Sequence, residues 1–182
     1  MVRTSFIAVL LAAASARAGQ TWTFEPGQSL VSVEVGPKAA RVSAVSLSLN
    51  GQLAEQASGE VKAALRLDLA AFSTGVRARD AQLREAAGGD ASPFITFEGT
   101  SPASGKDGKL HFTGTLTVRG VARPLDLTVA TVRIDGLIYG HASFTLRLRD
   151  FGIALPAGIT DEAHVDVDAG LRPDRGALAS RG

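Results

Sequence analysis

His164, Asp166 and Asp168 stand at i, i+2 and i+4 of a stretch that alternates apolar and polar residues. On a β-strand that spacing puts all three in one row, and imidazole and carboxylate donors suit a divalent ion. No second ligand cluster accompanies the row, so no metal site is expected. The other two histidines, His111 and His141, also fall on the polar parity of alternating stretches, and all three are expected to face solvent. The chain carries no G-x-S-x-G elbow, no H-E-x-x-H, no phosphate-binding glycine loop and no cysteine. Arg147, Arg149 and Asp150 end a long alternating stretch, and Arg79-Asp80 lies in a helical one. These groups suit either ion pairs that pin a helix and a loop to a barrel rim or a polar mouth that meets a ligand head group. No catalytic residue and no cofactor is expected, and the chain reads as a protein that is not an enzyme.

The elements that position these groups are mostly strands. Residues 110–129 form the clearest pair: Leu110, Phe112, Leu116 and Val118 alternate with His111, Thr113, Thr115 and Thr117, and Leu125, Leu127 and Val129 alternate with Asp126 and Thr128. Gly114 falls on the apolar face and leaves room there. Residues 119–124 are expected to form the turn, with Pro124 starting the second strand. Upstream, Trp22 and Phe24 flank Thr23, Pro26-Gly27 bends the chain, and Val31, Val33 and Val35 make a further strand. Val45, Leu47, Leu49 and Leu53 share one parity through Asn50-Gly51, which predicts a single strand with its turn at residues 55–59. Val61, Ala63, Leu65, Leu67 and Leu69 alternate strictly.

Ser73 and Thr74 offer hydroxyl N-caps for one short helix over residues 76–87, with Asp80 and Arg84 as an i,i+4 pair and Gly88-Gly89 as the stop. Residues 94–100 are extended again. The apolar parity changes between Val129 and Val132, which a β-bulge near Ala130-Thr131 would explain. Asp135-Gly136 marks a hairpin, and Ile138, Ala142, Phe144, Leu146 and Leu148 alternate beyond it. Residues 150–160 form a loop, and Val165 and Val167 belong to the last strand.

Eight or nine half-buried strands joined by short turns suit a sandwich or a closed up-and-down barrel. Closure is favoured because no strand is a shortened, charged edge. A composition of 45% hydrophobic and 20% charged residues fits one globular domain. Residues 1–18 form a separate unit: Arg3 is a charged n-region, residues 6–14 are apolar, and Ala16-Arg17-Ala18 is a small-x-small cleavage site, the pattern of a secretory signal peptide. The apolar run is short of the about 20 residues that a membrane span needs. Cleavage removes Arg3 and Arg17 and no acid, which takes the formal charge from +1 to −1. That near neutrality argues against nucleic acid or an anionic membrane as the main partner. Residues 172–182 read as a polar tail.

An eight-stranded barrel is just wide enough to be filled by its side chains or to hold one small ligand. The residues expected to face such an interior are Val33, Val45, Leu47, Leu65, Leu67, Phe97, Phe112, Gly114, Leu116, Leu127, Val129, Phe144, Leu146, Val165 and Val167.

Three motifs in order resemble the YceI-like family of secreted bacterial lipid-binding proteins. The first is Phe72-Ser73-Thr74-Gly75 followed by Arg79-Asp80 and Leu83-Arg84. The second is Ile95-Thr96-Phe97, then Gly114-Thr115-Leu116-Thr117-Val118-Arg119-Gly120-Val121 with Pro124. The third is residues 146–153, LRLRDFGI. The resemblance covers most of residues 22–171 and implies an all-β, antiparallel, up-and-down, eight-stranded lipocalin-like barrel with one short helix over residues 19–171. It further implies a periplasmic or secreted protein that carries or sequesters a polyisoprenoid or similar long-chain amphiphile without catalysis. The chain departs from the family at Gln28-Ser29, where His-Ser is frequent, at Gln82, where His is frequent, and in residues 86–92, which lack an aromatic pair. These departures bear on ligand identity more than on fold. The expected partner is thus a long-chain isoprenoid or lipid, with a homodimer as a candidate assembly and no stable membrane insertion after signal cleavage. The alternative is a side-chain-filled barrel serving as a structural or interaction module for a membrane redox partner.

Overall fold

The computed structural model describes residues 19–103, 107–155 and 159–174. The hairpin of residues 110–129 is formed by β6 (Lys109–Val118) and β7 (Val121–Ile134), paired antiparallel from Val118↔Val121 to Lys109↔Ala130. Its turn is only Arg119-Gly120, with φ of 56° and 74°. Two positive φ values make the type I′ geometry that matches strand twist. Pro124 therefore lies inside β7 rather than at its start. Pairs alternate outward from the turn between bonded and non-bonded, so Pro124, opposite Thr115, turns its nitrogen away from β6. On that side the next strand pairs only with residues 130–134, and no ladder bond is lost.

The remaining strands are β1 (Gln20–Val35), β2 (Val42–Ser46), β3 (Asn50–Glu55), β4 (Val61–Asp68), β5 (Phe94–Ser101), β8 (Leu137–Arg147) and β9 (Glu162–Pro173), with one helix, α1 (Arg77–Ala86). All neighbours are antiparallel, and β1 pairs with β9 to close the sheet. β3 pairs with the first residues of β1 and β2 with its last, so these two short strands share one position and the nine strands make an eight-stranded barrel. This is the expected up-and-down architecture with one short helix. β9 continues to Pro173, past the expected start of the tail. The leader expected over residues 1–18 and residues 175–182 lie outside the described residues, as do Pro156 and Gly158 of the expected loop.

Three further expectations are corrected. The strands expected at residues 22–24 and 31–35 are one strand: β1 runs through Pro26-Gly27, and its register with β9 shifts between Phe24 and Ser29. The single strand expected through Asn50-Gly51 is two. Between them the Ser48 amide donates to Ser46 Oγ (3.2 Å) and the Asp68 amide to Ser48 Oγ (3.3 Å), so serine side chains replace the ladder. The break changes the inward parity: Ala44 and Ser46 are buried, whereas Val45 and Leu47 are 41% and 63% exposed. Finally, no bulge interrupts β7, whose pairing with β6 and β8 is continuous through Ala130 and Thr131. The apolar residues themselves change sides, leaving Val132 54% and Ile134 50% exposed.

Because β8 leaves β7 after residue 141, a seam opens between residues 121–129 of β7 and residues 142–147 of β8. A 3-10 turn, Leu148–Phe151, fills it: Phe151 is buried in one cluster with Leu125, Leu127, Val129, Leu146 and Ile153. The Asp-Phe-Gly-Ile stretch thus plugs the seam by packing where no ladder does.

Candidate functional site

The inward faces do not meet. They enclose a cavity of about 750 Å³ walled almost wholly by apolar side chains, within the range of pockets that hold small organic ligands. Val33, Leu65, Leu67, Phe97, Phe112, Leu116, Leu127, Val129, Phe144, Leu146, Val165 and Val167 line it, so the structure brings together all but three of the residues expected there. Val45 and Leu47 do not line it, because the Ser46 and Ser48 break turns them to the outer surface. Gly114 does not line it either. A Cβ there would lie 2.3 Å from Glu98 O, 2.7 Å from Gly99 Cα and 2.8 Å from Phe97 Cζ. Gly99 and Gly114 face each other across β5 and β6, and the Phe97 ring covers both. The room on that face is filled by the chain's own aromatic ring, which in turn meets Phe112 edge to face at 6.3 Å.

Other lining residues were not foreseen. Trp22 and Phe24 line the cavity on even positions while Val31, Val33 and Val35 do so on odd ones; the Phe24/Ser29 register shift switches the parity, and Pro26-Gly27 was its only mark in the sequence. Leu49 and Leu53 line it, as their parity suggested. Helix α1 covers one end with Arg79, Gln82, Leu83 and Ala86, a spacing of i, i+3, i+4 and i+7 that a helical search would have found.

No residue of α1 is buried. The expected helix over residues 76–87 shortens to Arg77–Ala86, and the hydroxyl caps act differently from expectation. Val76 is the N-cap and makes no side-chain bond, while the Thr74 amide (2.7 Å), Thr74 Oγ1 and Ser73 Oγ (3.4 Å) all donate to the Asp80 carboxylate. The Thr74 hydroxyl above all, with the Thr74 amide, holds the Asp80 carboxyl below its usual range. The Arg84 charge is the smallest contribution, and Arg84 Nε is buried without a hydrogen-bond partner. At the other helix end Arg119 Nη1 donates to Ala86 O (2.8 Å), a cation on the last carbonyls. Arg147, Arg149, Asp150 and Arg79-Asp80 form no ion pairs with one another among the described residues; Asp161 Oδ1 instead accepts from the Arg149 amide (2.9 Å).

Polar lining is confined to the ends: Arg66, Arg79 and Gln82 beside α1, and Glu55, Thr131 and Arg133 opposite. Arg133 stacks over the Trp22 ring at 5.1 Å, and Thr131 Oγ1 donates to Gly108 O.

The histidines lie outside the cavity. His111 Nδ1 is 3.2 Å from Thr128 Oγ1, and His141 Nδ1 is 2.8 Å from Asp168 Oδ1. His164 Nε2 meets both Ser143 Oγ (3.3 Å) and Asp166 Oδ2 (3.4 Å). Serine and aspartate share one ring nitrogen, so this trio lacks the two-sided geometry of a catalytic relay. Among the described residues no three His, Cys, Asp or Glu side chains gather closely enough to hold a metal ion, and no helix is long and apolar enough to cross a membrane.

Comparison with known proteins bears on the same residues. The family model described as YceI-like domain matches residues 22–171. No curated protein matches the chain. Among solved structures it is similar to BcnA from Burkholderia cenocepacia, with 19% identity, 81% of this chain and 98% of that one covered, and a TM-score of 0.69. A polyisoprenoid binding domain from Saccharophagus degradans, implicated in plant cell wall breakdown, is 18% identical over 84% of this chain and 98% of that one, with a TM-score of 0.68. The YCEI protein of Campylobacter jejuni is 19% identical over 72% and 84%, with a TM-score of 0.59. At these identities the likeness to the three structures is one of fold.

Proposed function

The chain belongs to the YceI-like domain family, and from that premise we propose that it is a periplasmic or secreted binding protein, without catalytic activity, that carries or sequesters a polyisoprenoid or similar long-chain amphiphile inside its barrel. The observation that carries this reading is the apolar cavity of about 750 Å³. A barrel filled by its own side chains, acting only as an interaction module, has no use for such a space. The polyisoprenoid binding domain with the same fold points to the same class of ligand. The energetics are adequate: burying a dozen methylene-sized groups at ~0.8 kcal/mol each is worth ~10 kcal/mol, which is on the scale of typical association costs.

Mass spectrometry of lipid extracted from the protein purified from its native host tests this reading. A long-chain amphiphile at near-stoichiometric amount is expected, and added prenyl chains should raise the melting temperature of the emptied protein. Absence of any extracted lipid, together with no effect of prenyl chains on melting, would refute it.

A further inference from the structure

The two ends of the cavity differ in what the strands turn inward. At the α1 end the inward strand positions are apolar: Val35, Leu67, Val118 and Leu146 line the cavity. Arg66 takes the outward parity of β4, beside the buried Leu67, and stacks over the Phe94 ring at 4.4 Å. Arg79 and Gln82 come from a helix with no buried residue. At the opposite end the alternation reverses. The inward parity of Leu125, Leu127 and Val129 passes on to Thr131 and Arg133, while Val132 and Ile134 face out. Glu55 follows Leu53 on the inward face of β3 in the same way.

These polar groups gather around one ring. Arg133 pairs with Ile138, Ile138 with Leu171 and Leu171 with Phe24, so a guanidinium 5.1 Å from the centre of the Trp22 ring reaches across the inside of this end. Glu55 flanks the same ring, because Trp22 pairs with Leu53 and Gln20 with Glu55. Among the described residues the side chains of Glu55 and Arg133 form no ion pair and no hydrogen bond. A carboxylate and a guanidinium thus line one end of an apolar cavity without neutralising each other. The reversal in β7 forgoes burial of Val132 and Ile134 and leaves hydrogen-bonding groups where a bound chain would end.

We propose that Glu55, Thr131, Arg133 and the Trp22 ring form the subsite for the ligand's polar head, a group of no net charge that both donates and accepts hydrogen bonds, as an alcohol does. The apolar chain runs from there toward α1. The inference rests on the carrier reading and adds to it the direction of the ligand and the chemistry of its head. A hydroxyl donates to the Glu55 carboxylate and accepts from the Arg133 guanidinium. A phosphate head gains Arg133 but meets Glu55 as a like charge, and an ammonium head meets Arg133 as one. The Trp22 ring offers apolar contact to the first carbons of the chain.

Trp22 is the only tryptophan of the chain, so its fluorescence reports on this end of the cavity. Stearyl alcohol with a nitroxide quencher beside the hydroxyl is expected to quench it strongly, and the same alcohol with the nitroxide beside the terminal methyl to quench it weakly. Displacement of a fluorescent prenyl probe by geranylgeraniol, geranylgeranyl diphosphate and geranylgeranylamine reads the head preference. The alcohol is expected to bind about tenfold tighter than either charged form. Glu55→Gln should erase most of its advantage over the diphosphate, and Arg133→Gln most of its advantage over the amine. Both side chains are exposed, so both variants are expected to fold, and their melting temperatures are measured in parallel. Stronger quenching by the methyl-end nitroxide overturns the direction. A diphosphate or amine that binds the wild type as tightly as the alcohol overturns the head chemistry. Arg79→Gln tests the other end: a shift in either ratio there, with none at Glu55 or Arg133, overturns the subsite and leaves the carrier reading standing. If neither the prenyl probe nor any of the three ligands binds, the carrier reading fails and the subsite fails with it.

Discussion

The wall formed by β4, β5, β6 and β7 and the corner formed by β1, β2 and β3 enclose one cavity by opposite means. In the wall each pair keeps a single register from end to end, and strict alternation sends Val61, Ala63, Leu67, Phe97, Phe112 and Leu116 inward. In the corner the inward parity changes twice, at the Phe24/Ser29 shift and between Ser46 and Asn50. Alternation follows the pleat only while the pleat is uninterrupted. Where strands bend to close the barrel, local breaks decide which side chains see the cavity.

Overfilling the wall tests the comparison most severely. Gly114→Phe would place a ring where even a Cβ meets Glu98 O, Gly99 and Phe97, so the variant is expected not to fold, as circular dichroism would show. A folded Gly114→Phe protein that merely lost its ligand would mean that Gly114 faces open space. Removing the ring that covers the two glycines comes next. Phe97→Ala is expected to cost about 3–5 kcal/mol in denaturant unfolding, because it opens the packing over Gly99 and Gly114 and ends the contact with Phe112.

The corner gives a smaller contrast between neighbours. Leu49→Ser is expected to cost about 1–2 kcal/mol and to weaken prenyl-probe binding, since Leu49 lines the cavity. Leu47→Ser, two residues away on what read as the same face, is expected to change stability by less than ~0.5 kcal/mol and to leave probe binding from solution unaltered. Equal effects at the two positions would mean that the strand is continuous and that the Ser46 and Ser48 break is not what sets the parity.

This pattern explains what was legible in the sequence. Strand count and most of the lining followed from period-two alternation, because in β4 to β9, except at Val132 and Ile134 of β7, the apolar side chains and the pleat agree; the helix followed from its i,i+4 pair and Gly-Gly stop, and closure from the lack of a charged, shortened edge. Val45 and Leu47 were misplaced because valine and leucine continue the pattern of Leu49 and Leu53 across a backbone break that only two serines announce. Val132 and Ile134 were explained by a bulge because apolar residues on an outer face look, in one dimension, like a shift of the strand. Gly114 was read as empty room because the ring that fills it comes from Phe97, two strand positions from the opposing Gly99, and pairing register is not visible in a single strand.

The smallest expected effect concerns the joint between α1 and the corner. Thr74 and Ser73 donate to Asp80, and Ser73 also bridges to Val45 of β2, so one carboxylate ties the helix to the irregular side of the barrel. Those hydrogen bonds favour the ionised form and lower the Asp80 pKa in the folded protein. A lowered pKa means that the unfolded chain binds the proton more readily, so the contribution is fully present above the ordinary Asp value of about 3.9 and is lost as pH falls through the lowered folded value. Protection of the amides at Thr74 and along α1, taken relative to the unstructured exchange rate at the same pH, is expected to fall on that acid side before that of the β6 and β7 amides. In Asp80→Asn, α1 should exchange faster near neutral pH and show a flatter acid dependence than the wild type. Identical acid profiles in the two proteins would remove Asp80 as the tie, leaving Arg119 on the Ala86 carbonyl and the packing of Leu83 to hold the helix over the cavity.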